Sequence, residues 1–142
     1  MTDTTNQNNA ARFAPSVVWA PRVLAILRIV TAILFLSHGL VKLFGFPVGA
    51  APGQVPLFSL FGLAGVLELV GGLAVMLGLY TRPVAFILSG QMAVAYFMVH
   101  APQSFYPVLN MGELAILFAF NFLYLAVAGG GAWSIDAKRN AG

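Results

Sequence analysis

Four long apolar runs, at 22–44, 57–79, 84–100 and 107–128, alternate with short joints rich in glycine and proline. A helix that crosses a bilayer needs about 20 predominantly apolar residues, so each run is a candidate span. The third is the shortest, and tilt or a thin bilayer accommodates it. Polar residues interrupt the runs at helical spacing. In the first, Arg28, Thr31, Phe35, His38 and Lys42 follow steps of three and four and form one stripe. The second places Gly65, Glu68 and Gly72 on one face, the third Ser89, Tyr96 and His100, the fourth Glu113, Leu117, Asn121 and Tyr124. Small residues let another backbone approach, so Glu68 is expected to face a neighbouring helix and not lipid. The pattern predicts an all-α integral membrane protein, a bundle of four transmembrane helices over 22–128.

Residues 1–21 precede this domain. The Thr- and Asn-rich start cannot bury anything and is expected to be disordered, while Phe13 and Trp19 suit a short interfacial stretch. The first run is too long for a signal peptide core and contains Arg28 and His38, so it is expected to be a retained helix. The joint at 45–56 holds three prolines and three glycines and forms the longest connection. A C-terminal tail, 129–142, leaves the bilayer through a glycine break and carries Trp133, Lys138 and Arg139. Arg12, Arg22, Arg82, Lys138 and Arg139 fall on one side and Lys42 on the other, so both termini are expected in the cytoplasm.

Composition narrows the function. Of 142 residues, 60% are hydrophobic and 8% charged, far below the quarter or so typical of soluble domains. The lipid bilayer is therefore the first partner. Absence of cysteine removes disulfides, thiolate metal sites and thiol redox chemistry. The net charge of +3 sits mostly beside the spans, which reads as topology and argues against a nucleic-acid surface.

Depth along each helix, at about 1.5 Å per residue, sorts the polar groups into two layers. The lower one groups Arg28 with Gln91, Asn121 and Glu68, and an Arg28–Glu68 pair is expected to neutralise itself inside the bundle. The upper one groups His38, Lys42, Tyr96, His100 and Glu113. An imidazole and a carboxylate at one depth suit a quinone headgroup, which needs hydrogen-bond donors at its carbonyls and an acid/base group, so His38 and Glu113 are the candidate catalytic residues. His38 and His100 holding a haem is the alternative cofactor reading. The same pair with Glu113 resembles a non-haem metal set, but no HxxxH or ExxH spacing supports one and no metal is expected. The bland alternative is that His100 caps its helix and Lys42 reaches to water.

Four stretches, L-R-I…F-L-S-H-G-L-V-K-L-F-G-F, L-E-L-V-G-G-L-A-V-M-L-G-L-Y-T-R-P-V-A, N-M-G-E-L-A-I-L-F-A and W-S-I-D-A, together resemble the DoxX family of small bacterial inner-membrane proteins over roughly 22–137. One departure is G-G-G-A before W-S-I-D, where relatives often carry a proline. The resemblance implies a four-helix membrane bundle in the bacterial inner membrane and association with a respiratory or redox complex. On that basis the chain is expected to be a quinone-interacting subunit with a protein partner or a second copy of itself. The alternatives are a non-catalytic anchor for a soluble oxidoreductase and a carrier of protons or small solutes.

Overall fold

The computed structural model describes the backbone of residues 4–140 and side chains from Val17 onward. Among the described residues the structure is entirely helical. Helix α1 spans Thr4–Phe44, α2 Leu60–Leu77 and α3 Thr81–Ala95, which runs on through a π-helical turn, Tyr96–His100. A single turn, α4 (Pro107–Asn110), precedes α5 (Glu113–Ala128), and the short α6 (Ile135–Arg139) ends the fold. The helix therefore begins at Thr4, where composition predicts an unstructured tail; residues 1–3 lie outside the described residues.

Among the described residues three segments are long and apolar enough to cross a membrane: Val17–Phe44, Leu60–Leu77 and Thr81–His100. The fourth expected span is broken. Met111 adopts a left-handed conformation (φ 56°), so α5 has only 16 residues, about 24 Å of helix. The third span starts earlier than expected because the Thr81 N–H finds an acceptor in Asp136, described below.

Helix α1 packs chiefly on α2 and α3 on α5. Phe35 of α1 sits where the pairs meet, fully buried, its ring edge-on to Phe118 (5.2 Å) and Phe122 (4.7 Å) of α5. Val75 of α2 and Ala85 and Leu88 of α3 complete this core. Backbone contact between α1 and α2 depends on Gly39. A Cβ there would lie 2.9 Å from the Leu69 nitrogen and 3.0 Å from the Gly65 oxygen, both backbone atoms that cannot move aside. Outward faces carry exposed Val30, Leu34, Val70, Phe86, Phe120 and Val127. Apolar area on this scale is untenable in water and is what a lipid-facing surface requires.

Candidate functional site

Polar groups inside the fold gather in three clusters. The first lies between α1, α2 and α3. Side chains on a helix lean toward its N-terminus. Helices α1 and α2 are antiparallel, so Lys42 leans back along α1 while Glu68 leans back along α2, and the two meet. Lys42 Nζ donates to Glu68 Oε1 in a salt bridge that leaves Glu68 only 3% exposed. Gln91 Nε2 donates to the same oxygen at 3.2 Å and to the Ala64 carbonyl at 3.2 Å. Glu68 Oε2 and Gln91 Oε1 are buried and have no donor among the described residues. His38 stands one turn before Lys42 on α1, half-buried, its ring edge-on to Phe118 at 5.8 Å. Its nitrogens make no hydrogen bond among the described residues. An ammonium, an imidazole and two unsaturated acceptors are thus set in an apolar interior, where a proton or an O–H donor would be held strongly.

The second cluster closes the far end of α3. The π-helical turn bonds the Ala101 N–H to the Tyr96 carbonyl at 2.9 Å. It stacks the Tyr96 and His100 rings 6.5 Å apart. His100 Nδ1 lies 2.9 Å from the Asn110 carbonyl. A carbonyl only accepts, so Nδ1 carries the proton and Nε2 is left as an acceptor in the neutral ring. Asn110 is buried and holds the turn: its Nδ2 donates to the Ser104 carbonyl at 2.8 Å and its Oδ1 accepts the Gly112 N–H at 2.8 Å.

The third cluster ties the C-terminal tail to the opposite end. Arg28, fully buried, donates through Nε to Gly130 O (2.7 Å), through Nη1 to Val75 O (2.6 Å) and Met76 O, and through Nη2 to Trp133 O (2.8 Å). Val75 and Met76 lie in the last turn of α2, where the helix dipole and the final carbonyls attract a cation. Gly78 closes that helix in the left-handed conformation (φ 69°), and a Cβ there would fall 2.3 Å from the Ser134 Cβ. The chain then returns as α6, and Asp136 accepts the Tyr80 N–H at 2.9 Å and the Thr81 N–H at 2.8 Å, capping α3 from 55 residues away. Burial works against ionisation of Asp136, but these N–H groups and Arg139 outweigh it and hold the carboxyl below its ordinary range.

The expected Arg28–Glu68 pair does not form. Arg28 and Glu68 lean apart, for the same reason that Lys42 and Glu68 lean together, and a ranking by Cα depth misses this. Lys42 accordingly turns inward to Glu68 and not out to water. The expected upper layer divides. Lys42 joins Glu68 and Gln91, with His38 one turn away on α1 against Phe118, while His100 joins Asn110 and stacks on Tyr96. Glu113 is exposed in the first turn of α5, with no hydrogen bond to His38 among the described residues. No three His, Asp or Glu side chains converge among the described residues.

The family model described as DoxX matches residues 23–101. The chain belongs to the DoxX family. Among its relatives is an uncharacterized protein of Haemophilus influenzae, 43% identical over 84% of this chain and 92% of that one. Another is inner membrane protein YqjF of Escherichia coli, 32% identical over 80% of this chain and 88% of its own length. No solved structure matches.

Several residues that organise this DoxX chain are not among the candidates drawn from the sequence. Asn110 hides in N-M-G-E, where an Asn two residues before Gly signals a side-chain turn. Ser134 caps α6 by accepting the Ala137 N–H at 3.1 Å, which S-I-D-A announces. Thr81 is fully buried beneath the tail, and only the fold reveals this.

Proposed function

We propose that this DoxX protein is a four-span protein of the bacterial cytoplasmic membrane that serves as a quinone-interacting subunit of a membrane redox assembly. The headgroup meets His38 and the Lys42–Glu68–Gln91 cluster. The observation that carries this reading is the pair of unsaturated buried acceptors, Glu68 Oε2 and Gln91 Oε1, beside an ammonium and an unbonded imidazole. Such acceptors suit the hydroxyls of a quinol, and the two cationic-capable groups suit the carbonyls of a quinone. A quinone supplies two-electron, two-proton redox chemistry, and on quinol oxidation the two electrons pass to a redox partner. The chain's own residues handle protons: Glu68 Oε2, free while Oε1 is committed to Lys42 and Gln91, is placed to take one proton from a quinol hydroxyl, and the His38 imidazole the other. A nearly wholly apolar groove of about 410 Å³ between α3 and α5, walled by Ala93, Tyr96, Phe97, Ile116, Ala119 and Leu123, suits an isoprenoid tail.

The cytoplasmic placement of both termini draws on the tail cluster. Pro21 O accepts the Ala132 N–H at 3.0 Å, and Arg28 bonds Gly130 and Trp133, so Arg22, Arg82, Lys138 and Arg139 collect at one end. Spanning by α5 rests on its apolar composition and on its packing against α3. The relative named as an inner membrane protein supports the compartment.

The test is the quinone content of protein purified from its membrane, read by chromatography of an organic extract. Glu68→Gln and His38→Ala each lower retained quinone about tenfold or more, the cost of one good polar contact. Glu113→Gln leaves it within about twofold, since Glu113 stands outside the cluster. Wild-type protein without quinone, or equal retention in all three variants, overturns the reading. A second reading, an anchor for a soluble oxidoreductase, is favoured by the rigidly docked tail. It gains if His38 and Glu68 variants complement a deletion while tail variants lose co-purification of the partner.

A further inference from the structure

The end of the molecule opposite the quinone cluster holds a cleft of about 510 Å³ that the tail docking creates and the proposed redox role does not use. Its walls are the start of α3, the glycine run after α5 and α6. Two guanidinium groups, Arg82 and Arg139, reach it. Arg82 is exposed and lies against Gly129, where a Cβ would sit 3.4 Å from its Nε. It makes no salt bridge among the described residues. Arg139 stacks on the Tyr80 ring at 5.1 Å, which holds its planar head at the rim.

The one acid in the wall is Asp136. Both of its oxygens are already engaged by the Tyr80 and Thr81 N–H groups, and it faces the positive end of the α3 dipole, so it neither pairs with Arg82 nor cancels both arginines. The backbone N–H groups of Gly130 and Gly131 add donors in the same wall: among the described residues neither finds an acceptor, whereas the flanking Gly129 and Ala132 N–H groups bond Leu125 O and Pro21 O. The cleft is therefore a concavity with two arginines, the Gly130–Gly131 backbone and Pro83 in its wall, at the end of the bundle where α3 begins.

We infer that this cleft binds a phosphate group, with Arg82 and Arg139 as its two charged contacts. Planar guanidinium groups match phosphate oxygens in pairs, and basic pockets where helices meet the cytoplasmic surface take lipid headgroups. The phosphate comes from an anionic phospholipid or from a soluble phosphate, and the test separates these sources. This site is remote from Glu68 and stands independently of the quinone reading.

The experiment uses the full chain in phosphatidylcholine nanodiscs doped with phosphatidylglycerol, with retained lipid counted by native mass spectrometry. Wild-type protein keeps phosphatidylglycerol in preference to phosphatidylcholine. The double variant Arg82→Gln/Arg139→Gln loses about thirtyfold of that preference, as two interfacial charges require. Lys138→Gln, which does not wall the cleft, stays within about twofold. Arg82→Lys/Arg139→Lys keeps the charge and much of the preference, and circular dichroism confirms that each variant is helical. In a parallel arm, inorganic phosphate is titrated onto protein in phosphatidylcholine alone. Arginine-dependent phosphate binding without lipid preference assigns the site to a soluble ligand. Retention and phosphate binding that both ignore the two arginines overturn the inference.

Discussion

Replacing Arg28 by methionine removes a group that joins α1, the end of α2 and the tail. Its guanidinium donates to four carbonyls, those of Val75, Met76, Gly130 and Trp133, of which Val75 O also accepts the Gly78 N–H. Hydrogen bonds to a charged group contribute roughly 1.5–3 kcal/mol each, and a buried carbonyl left unsatisfied costs about 1–3 kcal/mol. Methionine also avoids the several kcal/mol spent in burying the cation, so the gross sum overstates the loss. A net destabilisation of about 3–5 kcal/mol is expected, from the Met76, Gly130 and Trp133 carbonyls left without a donor at about 1–3 kcal/mol each, offset in part by the relieved cost of burying the cation. Arg28→Lys keeps the charge but not the fork, and falls between. Two measurements check this. Unfolding of purified protein in mixed detergent gives the stability difference, and hydrogen exchange across 129–139 reports whether the tail stays docked. The tail amides of Ala132 and Asp136, bonded to Pro21 O and Gly78 O, are expected to lose protection in Arg28→Met first. A methionine variant within about 1 kcal/mol of wild type, with an unchanged exchange pattern, would falsify the assignment of Arg28 as the anchor of that end.

Lys42→Met leaves Glu68 buried without its counter-charge and is expected to cost about 3–5 kcal/mol, whereas Lys42→Met/Glu68→Leu recovers most of it; a double variant no better than the single one argues against the pair. Gly39→Val forces a side chain onto the Leu69 nitrogen and Gly65 oxygen, separating α1 from α2 at a cost of about 1–3 kcal/mol in detergent unfolding, and an unaffected variant refutes the close approach. Asp136 has a folded-state carboxyl below its ordinary range, so its contribution is complete above the usual carboxylate value and is lost as pH falls through the lower folded value. Tail protection in wild type should therefore fade on strong acidification, and Asp136→Asn should abolish that dependence; an identical acid profile in both counts against the cap.

Helices were legible because their apolar runs are long and bounded by glycine and proline. The glycines of α2 correctly announced a close neighbour, since Gly65 and Gly72 both lie against α1. Met111 was not legible: nothing in its residue type asks for a positive φ, which Asn110 imposes by accepting the Gly112 N–H. Nor was the tail. W-S-I-D reads as an exit from the bilayer, yet Ser134 packs against Gly78 and Asp136 reaches α3, contacts that exist only after α2, α3 and α5 have assembled.

Charge pairing inside antiparallel helices is set by the direction in which side chains lean as well as by the depth of their Cα atoms. Arg28 and Glu68 look close by rise alone, and Lys42 looks too far. Each long side chain moves its charge toward the start of its own helix, so Lys42 and Glu68 converge while Arg28 goes to the α2 terminus. This rearrangement changes the functional argument. An Arg28–Glu68 fork would occupy both carboxylate oxygens and leave a self-contained structural pair. Lys42 instead reaches a single oxygen, which Gln91 shares, and Oε2 is left without a donor in an apolar interior. A purely structural cluster gains nothing from that deficit, because an unsaturated buried acceptor costs stability. A ligand hydroxyl or a transferable proton removes the deficit, which supports the proposal of a site at Glu68 and Gln91 over one at Glu113.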